Sequence, residues 1–351
     1  MGRRPHVLSR RTALQGSLLA GLAAGAAPLT RSWAQTPGPL NPRLEGNISP
    51  VHDPSIIREG DTYYVFSTNQ PGGGGQQIPW RTSKDLIHWE KGGYVFLDLP
   101  AWTTDAVPGT EGVWAPDISY VNGQYLLYYA CSTFGKNVSA VGLVTNTTLN
   151  PSSPNYKWQD KGLVIASKPS DDYNCIDPNH SVDRAGNHWL AFGSFWGGIK
   201  IVQLDPQTFK PPPGDLHLSS LARRPREGDG PDPIEGAFII ERAGYYYLFV
   251  SFDFCCRGAD SNYYTVVGRS RNISGPYGDS NRYDMIDGNG TVVLNSESGG
   301  RWHGQGGCSI LRDPRQDYIV YHAYDVRRDG TPTLRIAPLV WSADGWPSAI
   351  V

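Results

Sequence analysis

The chain carries no Cys-x-x-Cys pair, no marked excess of basic residues and, past residue 30, no apolar run long enough to span a bilayer. Each absence removes a class of protein. Without cysteines at that spacing, a zinc knuckle or a thioredoxin-like redox site is not expected. The five cysteines, Cys131, Cys175, Cys255, Cys256 and Cys308, are odd in number, which argues against a disulfide framework but leaves room for one bridge in an oxidising compartment. A ring between the neighbours Cys255 and Cys256 is strained and uncommon. Small buried thiols in strands are therefore the expectation. Without a basic footprint, nucleic acid is not a partner. Without a further apolar run, nothing past the N-terminus spans a membrane. Helical periodicity is missing as well, since no segment keeps a long 3.6-residue apolar period between caps.

Turn formers and aromatics are plentiful instead. The 351 residues include 41 Gly and 28 Pro, and 11% are aromatic. Aromatics fit pleated surfaces, while Gly and Pro set turn dihedrals. This is the composition of many short strands, and the length suits one large all-β domain.

The first 34 residues read as an export signal. Arg3, Arg4, Arg10 and Arg11 precede a charge-free stretch, and Ser32-Trp33-Ala34 offers a small-x-small cleavage site. The run Ser9-Arg10-Arg11-Thr12-Ala13-Leu14 fits the twin-arginine type, which implies a bacterium and a periplasmic or extracellular destination. Removing this segment removes five Arg and no acid. The remainder holds 26 Lys and Arg against 33 Asp and Glu, a formal charge of −7.

One phrase recurs five times over residues 35–351: a short apolar strand, a turn, then an aromatic-rich strand. Its copies begin near Ser55, Asp117, His180, Ala237 and Ser309. Their hairpins turn at Gly60-Asp61, Asn122-Gly123, Gly186, Gly244 and Asp313-Pro314. Five matched β units predict a single all-β domain, a five-bladed β-propeller. A β-sandwich would not require five copies. In a propeller, equivalent positions converge on the axis, so residues distant in sequence form one site.

Acids precede the repeated strand in four copies: His52-Asp53-Pro54, Ala115-Pro116-Asp117, Ile176-Asp177-Pro178 and Ile234-Glu235-Gly236. Asp-Pro is a common turn dipeptide, and Asp53 alone reads as a turn residue. Glu235 is a poor turn former and leads directly into a strand. Converging carboxylates suit glycoside hydrolysis, where one acid is protonated and another ionised, or a cage for a hard cation.

At these residues the chain resembles glycoside hydrolase family 43, and within it the endo-α-1,5-L-arabinanases. The likeness runs from His52 to Pro347. It rests on His52-Asp53-Pro54-Ser55, Trp114-Ala115-Pro116-Asp117, Ile176-Asp177-Pro178-Asn179 and Ser194-Phe195-Trp196-Gly197-Gly198-Ile199-Lys200. Ile234-Glu235, Cys255-Cys256-Arg257-Gly258 and Tyr321-His322-Ala323-Tyr324-Asp325 extend it. The resemblance implies an inverting hydrolase of arabinan with Asp53 as general base and Glu235 as general acid. Asp177 would raise the pKa of Glu235 and orient it. Base and acid in such a pair stand about 6.5–9.5 Å apart, leaving room for water. It further implies arabinose contacts at Gly135, at Asn174, Cys175 and Ile176, and at Phe195 and Trp196.

Two additions come from residue chemistry. Trp114 is either a stacking platform for sugar or a core residue. Arg335 either reaches substrate hydroxyls or makes a surface ion pair. The resemblance also implies a central calcium or sodium ion, held by a His in the fifth repeat. Gly307 stands in that place, so no metal ligand is assigned, although His322 is a candidate replacement. No organic cofactor is expected, and the protein is read as a monomer. Exo-acting α-arabinofuranosidase or β-xylosidase activity, and a non-catalytic sugar-binding propeller, are the alternatives.

Overall fold

The five repeated phrases become five sheets. The computed structural model describes residues 38–351 apart from 70–74, 227, 229, 231, 297 and 298. The export-signal segment lies outside the described residues. Blade 1 runs Ser55–Glu59, Thr62–Phe66, Gln77–Ser83 and His88–Phe96, with Glu45–Gly46 added parallel on its outer edge. Blade 2 is Val113–Val121, Gln124–Cys131, Ser139–Asn146 and Gln159–Ser167. Blade 3 is Asn179–Val182, His188–Phe192, Ile199–Leu204 and Ser219–Ala222. Blade 4 is Ile234–Arg242, Tyr245–Phe252, Tyr264–Ser270 and Thr291–Leu294. Blade 5 is Trp302–Arg312, Asp317–Asp325, Thr331–Trp341 and Pro347–Ala349.

Within each blade, sequence neighbours pair antiparallel, so the first strand lies innermost and the last outermost. The first hairpins turn where the sequence says. Asn122 and Gly123 both have positive φ, 51° and 80°, as a two-residue turn matching strand twist requires.

Packing closes these sheets into a ring. Five apolar clusters each join two neighbouring blades. Phe66 and Trp80 of blade 1 meet Leu127 and Val144 of blade 2. Leu126 and Tyr128 meet Leu190 and Phe192 of blade 3. Ile199 and Ile201 meet Leu248 and Phe252 of blade 4. Phe249 meets Ile319 and Tyr321 of blade 5, and Leu311 with Val320 meets Ile56 and Trp89 of blade 1. Each fully buried large side chain contributes about 1.5–3 kcal/mol, so every blade is held on both flanks.

The segment before blade 1 bolts the ring shut. Asn41 Nδ2 donates to the Tyr321 hydroxyl, and Asn41 Oδ1 accepts the Ile336 amide at 2.7 Å. The Val51 amide donates to Pro332 O, and the Leu334 amide to Ile48 O. No helix among the described residues is long and apolar enough to cross a membrane.

Candidate active site

A left-handed residue sits within or just before every innermost strand. Asp53, Ala115, Asp177, Gly236 and Gly307 have φ of 48°, 42°, 54°, 64° and 58°. These five residues, one per blade, line a single axial cavity. Non-glycine side chains rarely adopt this backbone, and where they do the site is usually functional. Asp53 and Asp177 therefore share one phase on the axis, and Glu235 lies one residue before it.

Asp117 borders the same cavity but has no left-handed backbone, and its carboxylate is taken up between blades. It lies two residues past Ala115, buried between blades, where Oδ2 accepts the His180 amide at 2.8 Å and Oδ1 accepts from Asn179. Burial pushes its carboxyl up to about 7, against those two hydrogen bonds. Ser55 and Asn179 make the same kind of bond, accepting the amides of Ile118 and Ile239 in the next blade. The fourth recurrent acid is thus a clasp between blades.

The three remaining carboxylates meet opposite environments. Asp53 is half-buried and surrounded by donors. His52 Nδ1 lies 2.7 Å from Asp53 Oδ2, and the Thr68 hydroxyl donates to the same oxygen at 2.6 Å. Burial raises the Asp53 carboxyl, but the charge and hydrogen bond of His52 and the neighbouring His322 outweigh it and bring it down to about 2. His52 Nε2 in turn lies 2.7 Å from the Tyr324 hydroxyl, and its ring stacks on His322 at 3.8 Å.

Glu235 is only 8% exposed. The Ser194 hydroxyl donates to its Oε2 at 2.6 Å, and Cys255 Sγ lies 3.3 Å from its Oε1. Burial raises its carboxyl, Ser194 opposes this, and the charge on Asp53 adds to the rise. Asp177 accepts the Gly236 amide at 3.0 Å. Its carboxyl is held well above the usual range by burial, then by the charges of Glu235 and Asp53. No Lys or Arg pairs with either acid among the described residues. The surroundings thus favour the ionised form of Asp53 and shift Asp177 and Glu235 toward the protonated form.

The expected sugar contacts divide. Gly135, φ 75°, lies in an exposed turn following the second strand of blade 2, beside Phe134, which is 81% exposed. Phe195 and Trp196 are half-buried with left-handed φ of 56° and 41°, and the Phe195 amide is held by Ile234 O. That bond ties the loop to the residue before Glu235. Trp114 is half-buried one residue before Ala115, at the mouth phase of Glu235, and Ile176 occupies the same phase in blade 3.

Three contacts do not reach the mouth through exposed side chains. Cys175 is fully enclosed in the core between blades 2 and 3, and Asn174 is buried beside it with Oδ1 unpaired. Arg335 is 6% exposed on the third strand of blade 5, stacked over Trp302, away from the residues lining the cavity. The cysteine expectation is corrected too. Cys131, Cys175 and Cys308 are buried free thiols, but Cys255 and Cys256 are bridged to each other in the turn after Tyr245–Phe252. Outside a strand, neighbouring side chains can turn to the same side.

Gly307 is explained by close approach. A Cβ there would lie 2.6 Å from Asp53 Oδ1 and 2.8 Å from His322 Cε1. A side chain at this place would displace the ionised acid. Thr68, Ser194 and Tyr263, which contact the carboxylates, and Tyr324, which contacts His52, lie outside the site residues expected from the sequence. Ser194 and Tyr324 fall inside segments that carry the family likeness. Thr68 and Tyr263 carry no signal of their own, because a hydroxyl in a strand end looks like any other.

Comparisons with known proteins bear on the family and the fold. The family model for glycosyl hydrolases family 43 matches residues 41–347. An extracellular exo-α-(1→5)-L-arabinofuranosidase of Cellvibrio japonicus is 42% identical, covering 85% of each chain. An extracellular endo-α-(1→5)-L-arabinanase of Bacillus subtilis is also 42% identical, covering 85% of this chain and 87% of its own. Among solved structures, an endo-arabinanase from Bacillus licheniformis is 42% identical with a TM-score of 0.78, covering 87% of this chain and 99% of its own. On the matched family model, the curated relatives and the five-bladed fold together, the chain belongs to glycosyl hydrolases family 43.

Proposed function

We propose that this chain is an exported endo-arabinanase, hydrolysing internal α-1,5-L-arabinofuranosidic bonds with inversion. One observation carries the reading. Asp53 is ringed by donors that favour its anion, while Glu235 and Asp177 are buried with no Lys or Arg partner among the described residues, which favours their protonated forms. Opposed carboxyl environments of this kind assign a base and an acid.

Asp53 takes a proton from water as that water attacks the anomeric carbon. Glu235 gives its proton to the departing oxygen. Asp177 accepts the Gly236 amide and, as a second buried carboxyl beside Glu235, disfavours a site in which both acids are ionised. Phe195, Trp196, Trp114 and Phe134 offer apolar faces for sugar rings at the mouth. Gly135 and Ile176 contribute backbone there. Asn174 and Cys175 shape the mouth from beneath rather than touching sugar with exposed side chains.

His322 does not suit direct ligation of the ion that the family likeness implies. Its Nδ1 accepts the Asp53 amide at 3.2 Å, which leaves the proton on Nε2. A protonated ring nitrogen donates and does not ligate. The buried Nε2 has no partner among the described residues, so it suits a hydrogen-bond acceptor such as water. No step of the reaction is assigned to a metal.

An exo-acting reading is favoured by one observation, the equal identity of the exo- and endo-acting relatives. Product analysis on linear debranched arabinan separates the two. Early release of mixed arabino-oligosaccharides, lost in Glu235→Ala, supports the endo reading. Stepwise release of one short product from chain ends assigns exo action, and no turnover leaves a sugar-binding propeller. The N-terminal segment is read as the export signal and the working unit as a monomer. Cleavage of the secreted protein near Ala34 and its mass in solution test both.

A further inference from the structure

The adjacent cysteines touch both working ends of the site. Cys255 Sγ lies 3.3 Å from Glu235 Oε1. The Cys256 amide donates to the Tyr324 hydroxyl at 2.8 Å, and that hydroxyl meets His52, which meets Asp53. Cys256 Sγ is itself 3.7 Å from His52 Nε2. The two sulfurs are bonded, Cys256 is exposed with φ of 64°, and the three other cysteines are buried.

A bridged sulfur has no proton. Beside Glu235 it offers lone pairs alone, so only the protonated carboxyl can hydrogen-bond to it. A free thiol has a proton and donates it to an ionised carboxylate. Opening the bridge therefore reverses which form of Glu235 the sulfur favours. The other groups facing Glu235 are Ser194, Tyr263, Asp53, Asp177, His52 and Tyr324, and only Cys255 gains a proton toward Glu235 when the bridge opens.

We propose that the Cys255–Cys256 bridge is a positioning element of this site and a redox gate on its acid. Closed, it favours the proton-donating form of Glu235. Open, it favours the ionised form and frees the Cys256 backbone that holds Tyr324. The opening step needs a dithiol reductant. That reductant supplies two electrons and two protons and closes its own disulfide, while the S–S bond breaks and two S–H bonds form. The inference rests on Glu235 as the general acid.

The test is the pH profile of kcat/KM on linear arabinan for the intact enzyme, before and after a mild dithiol. Alkylation and intact mass count the thiols opened under native conditions. Reduction is expected to free two thiols and move the alkaline limb down by about 0.5–1 pH unit, a roughly three- to tenfold loss above that limb, reversed on reoxidation. Cys255→Ser, with a permanent hydroxyl donor, is expected to show the lowered limb and no response to the dithiol. Two freed thiols with an unmoved limb overturn the proposal. So does a Cys255→Ala/Cys256→Ala enzyme that still responds to the dithiol, or an enzyme isolated with both thiols free that a mild oxidant does not close. If Glu235→Ala keeps wild-type activity, it is the assignment of the acid that fails. An unmoved limb in an enzyme that Glu235→Ala inactivates rejects the redox gate alone.

Discussion

Asp177 Oδ2 accepts the backbone amide of Gly236, the residue directly after Glu235, at 3.0 Å. The bond crosses from blade 3 to blade 4 and fixes the acid's backbone to a second carboxyl. The two groups then titrate as a pair, each opposing ionisation of the other.

Asp177→Asn keeps an acceptor for that amide and removes the charge. The alkaline limb of kcat/KM should move to lower pH, with kcat falling by about 10²–10⁴. A limb that stays in place would reduce Asp177 to a backbone support.

His52→Gln tests the other carboxylate. Asp53 is held at about 2, below its ordinary 3.8, by contacts that favour the anion. Those contacts stabilise the fold above about pH 4, and the contribution is lost as pH falls toward 2. Removing the imidazole should raise the acidic limb of kcat/KM by about one unit and move acid unfolding to higher pH. Rates and circular dichroism between pH 2 and 6 read both effects.

Asp117→Ala separates the clasp from the machinery. It leaves the His180 amide and Asn179 without their acceptor, a cost of about 1–3 kcal/mol. Thermal unfolding should shift down while both limbs of the pH profile keep their positions. A moved limb would return Asp117 to the active site.

Gly307→Ala places a methyl 2.6 Å from Asp53 Oδ1, on a backbone with φ of 58°. The left-handed conformation alone costs a non-glycine residue about 1–2 kcal/mol. Activity should fall by tenfold or more, with KM less affected than kcat, because the methyl displaces the base and not the sugar platforms. Steady-state kinetics on arabinan decides it.

The five blades were legible because each repeats one hairpin, and two of the three carboxylates because Asp53 and Asp177 occupy one phase of that repeat. Glu235 stood out by being an acid where a turn former is expected. Asp117 misled, because a shift of two residues past a bulge carries a side chain from the axis to the blade interface. For Arg335 the sequence leaves two roles open, because strand order within a blade decides whether a residue nears the channel, and its strand is third. Thr68 and Tyr263 were invisible because their roles come from neighbours brought together only by ring closure. Adjacency disfavours the Cys255–Cys256 pair, and only the turn that carries it brings the sulfurs together.

The most direct test of the central claim is the leaving-group dependence of Glu235→Ala. Rates are compared on linear arabinan and on an aryl arabinotrioside whose phenol leaves without a proton. The account predicts a loss of about 10³-fold or more on arabinan and a much smaller loss on the aryl substrate. Equal losses on both would contradict Glu235 as the general acid.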